Sequence, residues 1–452
     1  MKERKELKRS RSARLWQPAI AAFLAICVLM MSAGSIAAAA DVEKDEKGHV
    51  KNDLGLGVRS AILMDAATGQ ILFSANPDEA LPPASMSKMM TEYIVMEEIK
   101  SGNLKWDDVV TVGKNAATTT RGGSHVFLAE NDKHTVKELF IAMAVGSAND
   151  ASIALAEKIA GTEEAFAQRM NTTAQELGLE TAHFINATGL SRDDLLPQYR
   201  PESISGETIM SAKDAAMLAY HIVNEHPEFL EFSSIPSYKF RERDDKPLIN
   251  YNYMLGANKS NQYLKQFAYE GVDGMKTGHT KAAKYCFTGT AERNGMRLIS
   301  VVMGTDSEYA RFRETAKLLD YGFDNFALKT VVTPKTAVET LEKVKVKKGV
   351  QTEVSVVTQQ DISFIVKKNV EPKIELLKSD IKKPEELVAP LPINTVVGTV
   401  TYQYTDAQGK TSEKTVNLIT NEEVDKGSWW RLMFRGIKDF FVSIFKGIVD
   451  LF

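Results

Sequence analysis

Cysteine is almost missing from this chain: two in 452 residues, Cys27 and Cys286. Cys27 sits in a leader-like segment, so one thiol remains in the body and no internal disulfide framework can form. Cys286 reads as a small buried hydrophobe. Histidine is also sparse, with seven residues and no H-E-x-x-H pair, and His221 and His226 are wrongly spaced for one helix face. No metal and no cofactor are therefore expected. Positive charge is not in excess: the net charge is −3, and −8 once residues 1–40, with seven of the basic and two of the acidic groups, are set aside. That excludes nucleic acid as a partner, because such binding needs a basic footprint. No repeat of fixed period and no low-complexity tract is present.

The two ends differ from the body. Seven basic groups fall within the first 14 residues, followed by the apolar run Ala19–Met31 and by Ala37–Ala40. Basic, apolar, then small-residue order is that of a secretory signal peptide cleaved near Ala40. The run is short for a span, which needs about 20 residues. Cys27 follows Ile26 and so lacks the small residue expected before a lipid-modified cysteine. At the other end Trp430, Met433, Phe434, Ile437, Phe440, Phe441, Ile444, Phe445 and Ile448 recur at steps of three and four, interrupted by Arg431, Arg435, Lys438 and Lys446. This pattern predicts an amphipathic helix lying in a membrane interface; the other reading is a helix docked on the protein's own core.

Between the ends, Gly57–Met64 and Gln70–Ser74 read as strands. Helical spacing follows in Ser87–Lys100, Thr135–Val145 and Ala148–Ile159. Strand signals return at Tyr285–Ala291 and Arg297–Met303, and Glu308–Phe323 is a further helix. Strands at both ends of the segment imply one sheet with helices packed on it, an α+β domain. After about Phe326 short β-prone runs separated by turns predict a small all-β sandwich. The expected organisation is a leader (1–40), a catalytic domain (41–326), a β-sandwich (327–420), and a linker with the amphipathic helix (421–452).

Three short stretches carry chemistry. Ser85 and Lys88, in "PPASMSKMM", lie at i and i+3 on one face of a helix start. A serine hydroxyl needs an adjacent base, and a desolvated lysine supplies one. Ser147 and Asn149, in "GSAND", stand at a break between two helices, where capping is the plain alternative. Lys276 and Gly278, in "GMKTGHT", face the same side of an edge strand, where an extended substrate can lie against glycine while the ammonium holds a carboxylate; an ordinary turn is the alternative.

Taken together, S-x-x-K, S-x-N and K-T-G in this order, 62 and 129 residues apart, resemble the penicillin-recognising serine enzymes. The chain is most similar to the serine D-alanyl-D-alanine carboxypeptidases, the low-molecular-mass penicillin-binding proteins. Flanking text such as "VGSANDASIALAE", "FINATGL" and "FTGTAERNGMRLISVVMG" extends the resemblance from leader to C-terminus. It implies a β-lactamase/transpeptidase-like catalytic fold and an acyl-enzyme on Ser85. It also implies release of D-alanine from peptidoglycan pentapeptides, covalent inhibition by β-lactams, and location at the outer face of the cytoplasmic membrane. By the same resemblance Lys88 accepts the serine proton, Ser147 relays one to the leaving amine, and Asn149 holds the acyl side chain or Lys88. Lys276 binds the terminal carboxylate, with Thr277, Gly278 and His279 beside it. The N–H groups of Ser85 and His279 form the oxyanion hole. The region 236–265 does not align and is expected to shape substrate access.

Two rivals remain. A class A-like β-lactamase would carry a deacylating glutamate in an E-x-x-L-N context, whereas Glu176–Asn186 lacks that pattern. A catalytically inactive wall-binding scaffold would not need every motif residue intact.

Overall fold

The computed structural model describes residues 42–118, 123–339, 341–406 and 409–449. The leader expected over 1–40 lies outside the described residues.

Strands β1 (Ser60–Asp65) and β2 (Ile71–Ala75) join β3 (Val272–Thr280), β4 (Lys284–Arg293) and β5 (Met296–Thr305) in one antiparallel sheet of order β2–β1–β5–β4–β3. β1 pairs with β5 in the register Ile62↔Val301, so distant parts of the chain do meet in one sheet. All six residues of β1 are buried because both sheet faces are covered. Ile62 and Met64 face the helical core, while Ala61 and Leu63 enter a second core on the other face, as side-chain alternation requires.

The helical layer contains α1 (Lys88–Lys100), α2 (Val136–Gly146), α3 (Asn149–Ala160), α4 (Glu163–Glu176) and α5 (Ala212–Glu225); α6 (Glu308–Asn325) covers the opposite face. Every residue of α1 from Lys88 to Met96 is buried, so it is a central helix and carries no polar stripe. α6 brings Phe312, Leu318 and Leu319 onto the sheet. The polar stretch 236–265 forms a short hairpin, Ser237–Tyr238 with Leu248–Ile249, and a 3-10 turn, Gly256–Ser260. Arg241 ties this stretch to the carbonyls of Val126 and Phe127.

The C-terminal region is a two-sheet β-sandwich. β6 (Phe326–Val332) pairs with β9 (Ile362–Lys367). The second sheet has the order β7–β8–β12–β11–β10, from β7 (Lys343–Lys345), β8 (Glu353–Thr358), β10 (Lys373–Ile381), β11 (Val396–Thr405) and β12 (Thr411–Thr420). Val332, Phe364, Val356, Val400 and Leu418 fill the space between them. The stretch 421–426, expected to link the sandwich to the terminal helix, runs along the sandwich: Leu391 N donates to Val424 O at 2.9 Å, and Gly427 N to Lys348 O at 2.8 Å.

Helix α7 (Trp429–Val449) follows. Arg435 anchors its root by donating to Gly349 O and Val350 O, both at 3.1 Å. On both sides of that anchor, Trp429, Trp430, Phe434, Phe440 and Phe441 are exposed, so the helix is not docked on the protein's core. Among the described residues no helix is long and apolar enough to cross a membrane.

Candidate active site

The three stretches converge on one cleft. Ser85 lies in a 3-10 turn, Ala84–Ser87, that runs directly into α1 at Lys88. Ala84, immediately before it, has φ +50°, a left-handed conformation costing a non-glycine residue about 1–2 kcal/mol. The surroundings fix that kink. Gly189 packs so closely that a Cβ there would lie 2.0 Å from Ala84 O, and a Cβ on Gly278 would lie 2.3 Å from Pro83 O. The glycine of K-T-G thus lets the edge strand β3 approach the backbone leading into Ser85.

Lys88 is fully buried. Its Nζ lies 3.0 Å from Ser85 Oγ and donates to Asn149 Oδ1 at 2.7 Å and to Thr188 O at 3.0 Å. Burial drives its pKa well below the ordinary value, with the Lys276 charge adding to the effect against Glu92, Asp150 and Glu163.

Ser147 caps the C-terminus of α2 in the left-handed region, φ 54° and ψ 30°. Asn149 opens α3, whose N-cap is Ala148 and has no side-chain cap. The capping alternative therefore fails in an informative way: the backbone makes the break, and both polar side chains are released into the cleft. Lys276 Nζ donates to Ser147 Oγ at 2.8 Å and to Thr277 O at 3.3 Å. Burial lowers the Lys276 pKa to about 8, with Arg311 adding to the fall and Glu92 opposing it.

Several contributors carry no motif. Asn186 accepts from Thr188 N, Thr188 Oγ1 and Gly189 N at 3.0, 2.9 and 2.7 Å, folding the loop that presents Thr188 O to Lys88. Buried Glu163 accepts from Ala187 N at 3.1 Å and Asn115 Nδ2 at 2.9 Å, anchoring the same loop. Asp150 accepts from Val126 N and Leu128 N at 3.1 Å, holding the wall beside Ser124. Glu92, one turn after Lys88, is buried with neither oxygen hydrogen-bonded among the described residues. Burial raises its pKa to about 7, against the opposing pull of Lys276 and Lys88. Arg311 on α6 is 3% exposed, reaches Gly278 O at 3.4 Å, and has an unpartnered Nε among the described residues.

The cleft holds about 340 Å³ and is lined by Ser85, Ser147, Asn149, Thr277, Gly278, His279 and Arg311, with Tyr251 from the polar 236–265 stretch at its rim. Glu308 is the one carboxylate among the described lining residues; it accepts from Tyr253 and Arg311. The His279 ring stacks on Tyr285 with centroids 4.2 Å apart. Cys286 is fully buried and its thiol pKa is raised to about 11 by burial, which makes it a poor target for thiol reagents.

Residues 49–307 match the D-alanyl-D-alanine carboxypeptidase family, and residues 326–426 match the C-terminal domain of penicillin-binding protein 5. The chain belongs to the D-alanyl-D-alanine carboxypeptidase family. It is a serine hydrolase of the penicillin-recognising superfamily, of the low-molecular-mass penicillin-binding type. D-alanyl-D-alanine carboxypeptidase DacF of Bacillus subtilis is 34% identical over 355 residues, covering 78% of this chain and 84% of the relative. DacA of Escherichia coli is 31% identical over 388 residues, covering 85% and 87%. Among solved structures, PBP3 from Streptococcus pneumoniae aligns with a TM-score of 0.72 at 31% identity, covering 82% of this chain and all of that one. Penicillin-binding protein D2 from Listeria monocytogenes, solved with cefotaxime bound, aligns at 0.51 and 30% identity over 60% of this chain and all of that one.

Proposed function

We propose that this carboxypeptidase works through an acyl-enzyme on Ser85, with Lys88 as the base. The observation that carries this reading is the hydrogen-bond count around Lys88 Nζ. A neutral amine has two N–H groups and one lone pair. Asn149 Oδ1 and Thr188 O take the two N–H groups, which leaves the lone pair for the proton of Ser85 Oγ. Depression of the lysine pKa by burial makes the neutral form accessible.

Ser85 Oγ bonds to the carbonyl carbon of the penultimate D-alanine of a peptidoglycan pentapeptide, and its proton passes to Lys88. The C–N bond then breaks, and the departing amine takes a proton from Ser147 Oγ, which Lys276 Nζ resupplies across 2.8 Å. The N–H groups of Ser85 and His279 stabilise the oxyanion. Thr277 and Gly278 line the substrate strand, and Asn149 holds Lys88. The terminal carboxylate lies between Lys276 and Arg311, a cation lining the cleft that the motifs alone do not reveal. Water then adds to the ester carbonyl and passes a proton through Ser147 to the neutral Lys276. Ser85 Oγ leaves and takes its proton back from Lys88, and the product acid limits cross-linking in the wall.

A β-lactam enters by the same attack. Glu308, the one carboxylate among the described lining residues, is held by Tyr253 and Arg311, which fits a long-lived penicillin adduct. The exposed aromatic face of α7 fits peripheral attachment to the outer face of the cytoplasmic membrane, after export and loss of residues 1–40. Deletion of residues 427–452 should release the protein from sedimented membranes; persistence with them would refute the anchor.

Labelled penicillin tests the central step. A stable adduct on Ser85, lost in Ser85→Ala, together with D-alanine release from a pentapeptide, is expected. An adduct that survives Ser85→Ala would overturn the assignment.

A further inference from the structure

Away from the cleft, the far end of α1 meets the end of α5 in a cluster that the reaction does not use. Glu225 closes α5, and His226 is its C-cap with φ −139° and ψ 57°. That departure from helical geometry carries the imidazole out of the helical row. It resolves the spacing problem: His226 need not share a helix face with any partner on α5. Donor atoms of Glu97, Glu225 and His226 all lie within 4.8 Å of one another.

His226 is 0% exposed. Its Nε2 lies 2.8 Å from Glu97 Oε1, yet neither ring nitrogen makes a hydrogen bond of acceptable angle among the described residues. A buried nitrogen that close to a carboxylate oxygen, but misaligned for sharing a proton with it, has the relation of two donors converging on a third point. Glu228 Oε1 lies 3.8 Å from the other ring nitrogen, Nδ1, the side from which an outer carboxylate orients a metal-binding imidazole. Glu225 is oriented from outside: Tyr93 donates to Oε2 at 2.8 Å, and His221 Nδ1 lies 2.6 Å from Oε1. Metal-bound carboxylates carry such outer partners. Lys100, at 3.5 Å from Glu97 Oε1, approaches from solvent and is exposed enough to swing aside.

We propose that Glu97, Glu225 and the His226 Nε2 atom bind one divalent transition-metal ion of the Zn²⁺ type. Two carboxylates neutralise the dication, and one imidazole with two oxygens suits a borderline metal better than Mg²⁺ or Ca²⁺. A water completes the fourth position, and the adjoining crevice of about 310 Å³, bordered by Tyr93 and Glu97, gives the ion its way in. The ion would clamp α1 to α5 about 13 Å along the helix from Lys88, outside the catalytic cleft.

The test uses the untagged full chain, equilibrated with zinc chloride at neutral pH and dialysed against metal-free buffer, followed by metal analysis and titration calorimetry. One equivalent of zinc is expected, together with a Tm that rises with zinc and falls back with a chelator. His226→Ala and the partly exposed Glu97→Gln should each weaken binding at least tenfold, and Tyr93→Phe about tenfold. Formation of the penicillin adduct reports that each variant is folded. No bound zinc in the wild-type protein would overturn the proposal and leave His226 as a neighbour of Glu97 alone. Wild-type zinc affinity in a folded Glu97→Gln variant would overturn it as well.

Discussion

The catalytic cleft and the β-sandwich bury opposite things. In the cleft, Lys88 and Lys276 are 0% and 3% exposed, with Glu92, Glu163 and Arg311 buried around them. Beyond Phe326 the buried polar residues among those described are four hydroxyls, Thr358, Ser363, Thr401 and Thr420. Burying a charge is costly unless it is paired, and the usual relief is a shifted pKa. On the mechanism proposed above, the cleft uses that shift to make a base and a proton donor. The sandwich has only packing to preserve, and its lysines stay in water. Buried lysines thus distinguish the cleft from the sandwich.

Three substitutions sharpen the contrast, from the largest effect to the smallest. Lys88→Met should reduce acylation by labelled penicillin by about 10²–10⁴-fold, the range lost with a general base. Its melting temperature should fall, since the buried acceptors Asn149 Oδ1 and Thr188 O lose their donor. Acylation retained alongside that fall would reverse the roles assigned here. Gly278→Ala places a Cβ against Pro83 O and must displace β3 or the nucleophile turn. A misplacement of that order costs about 10²-fold in rate, read as lost kcat/KM for a pentapeptide. Phe364→Ala removes a fully buried ring from the sandwich core. It should cost that domain about 3–5 kcal/mol and leave the acylation rate unchanged, measured by thermal unfolding beside penicillin labelling. Slowed acylation would show that the sandwich supports the cleft.

Much of the fold was legible because periodicity tracks burial. The runs from Tyr285 and Arg297 became β4 and β5, and the β-prone runs after Phe326 became the sandwich. Helix α1 was legible despite lacking an amphipathic stripe, because its apolar residues had few interruptions. The motif residues were legible as chemistry but not as geometry: nothing in "GSAND" says that Ser147 adopts φ +54° and so frees its side chain. Arg311, Asn186, Glu163 and Glu92 stand alone in the sequence, and only tertiary packing brings them to the two lysines. The segment 421–426 read only as a link to the terminal helix; its backbone pairs with the sandwich, a contact that side-chain patterning does not encode.

The pH dependence of acylation by labelled penicillin tests most directly whether Lys88 is the base. Lys88 must be neutral to take the proton from Ser85, so the rate should rise along a limb lying well below 10.5, the ordinary lysine value. Lys276 must be protonated to resupply Ser147, so the rate should fall again near 8. Glu92→Gln removes a charge that favours protonated Lys276 and should move that falling limb to lower pH. A rate that climbs without a maximum through pH 10 would contradict both assignments.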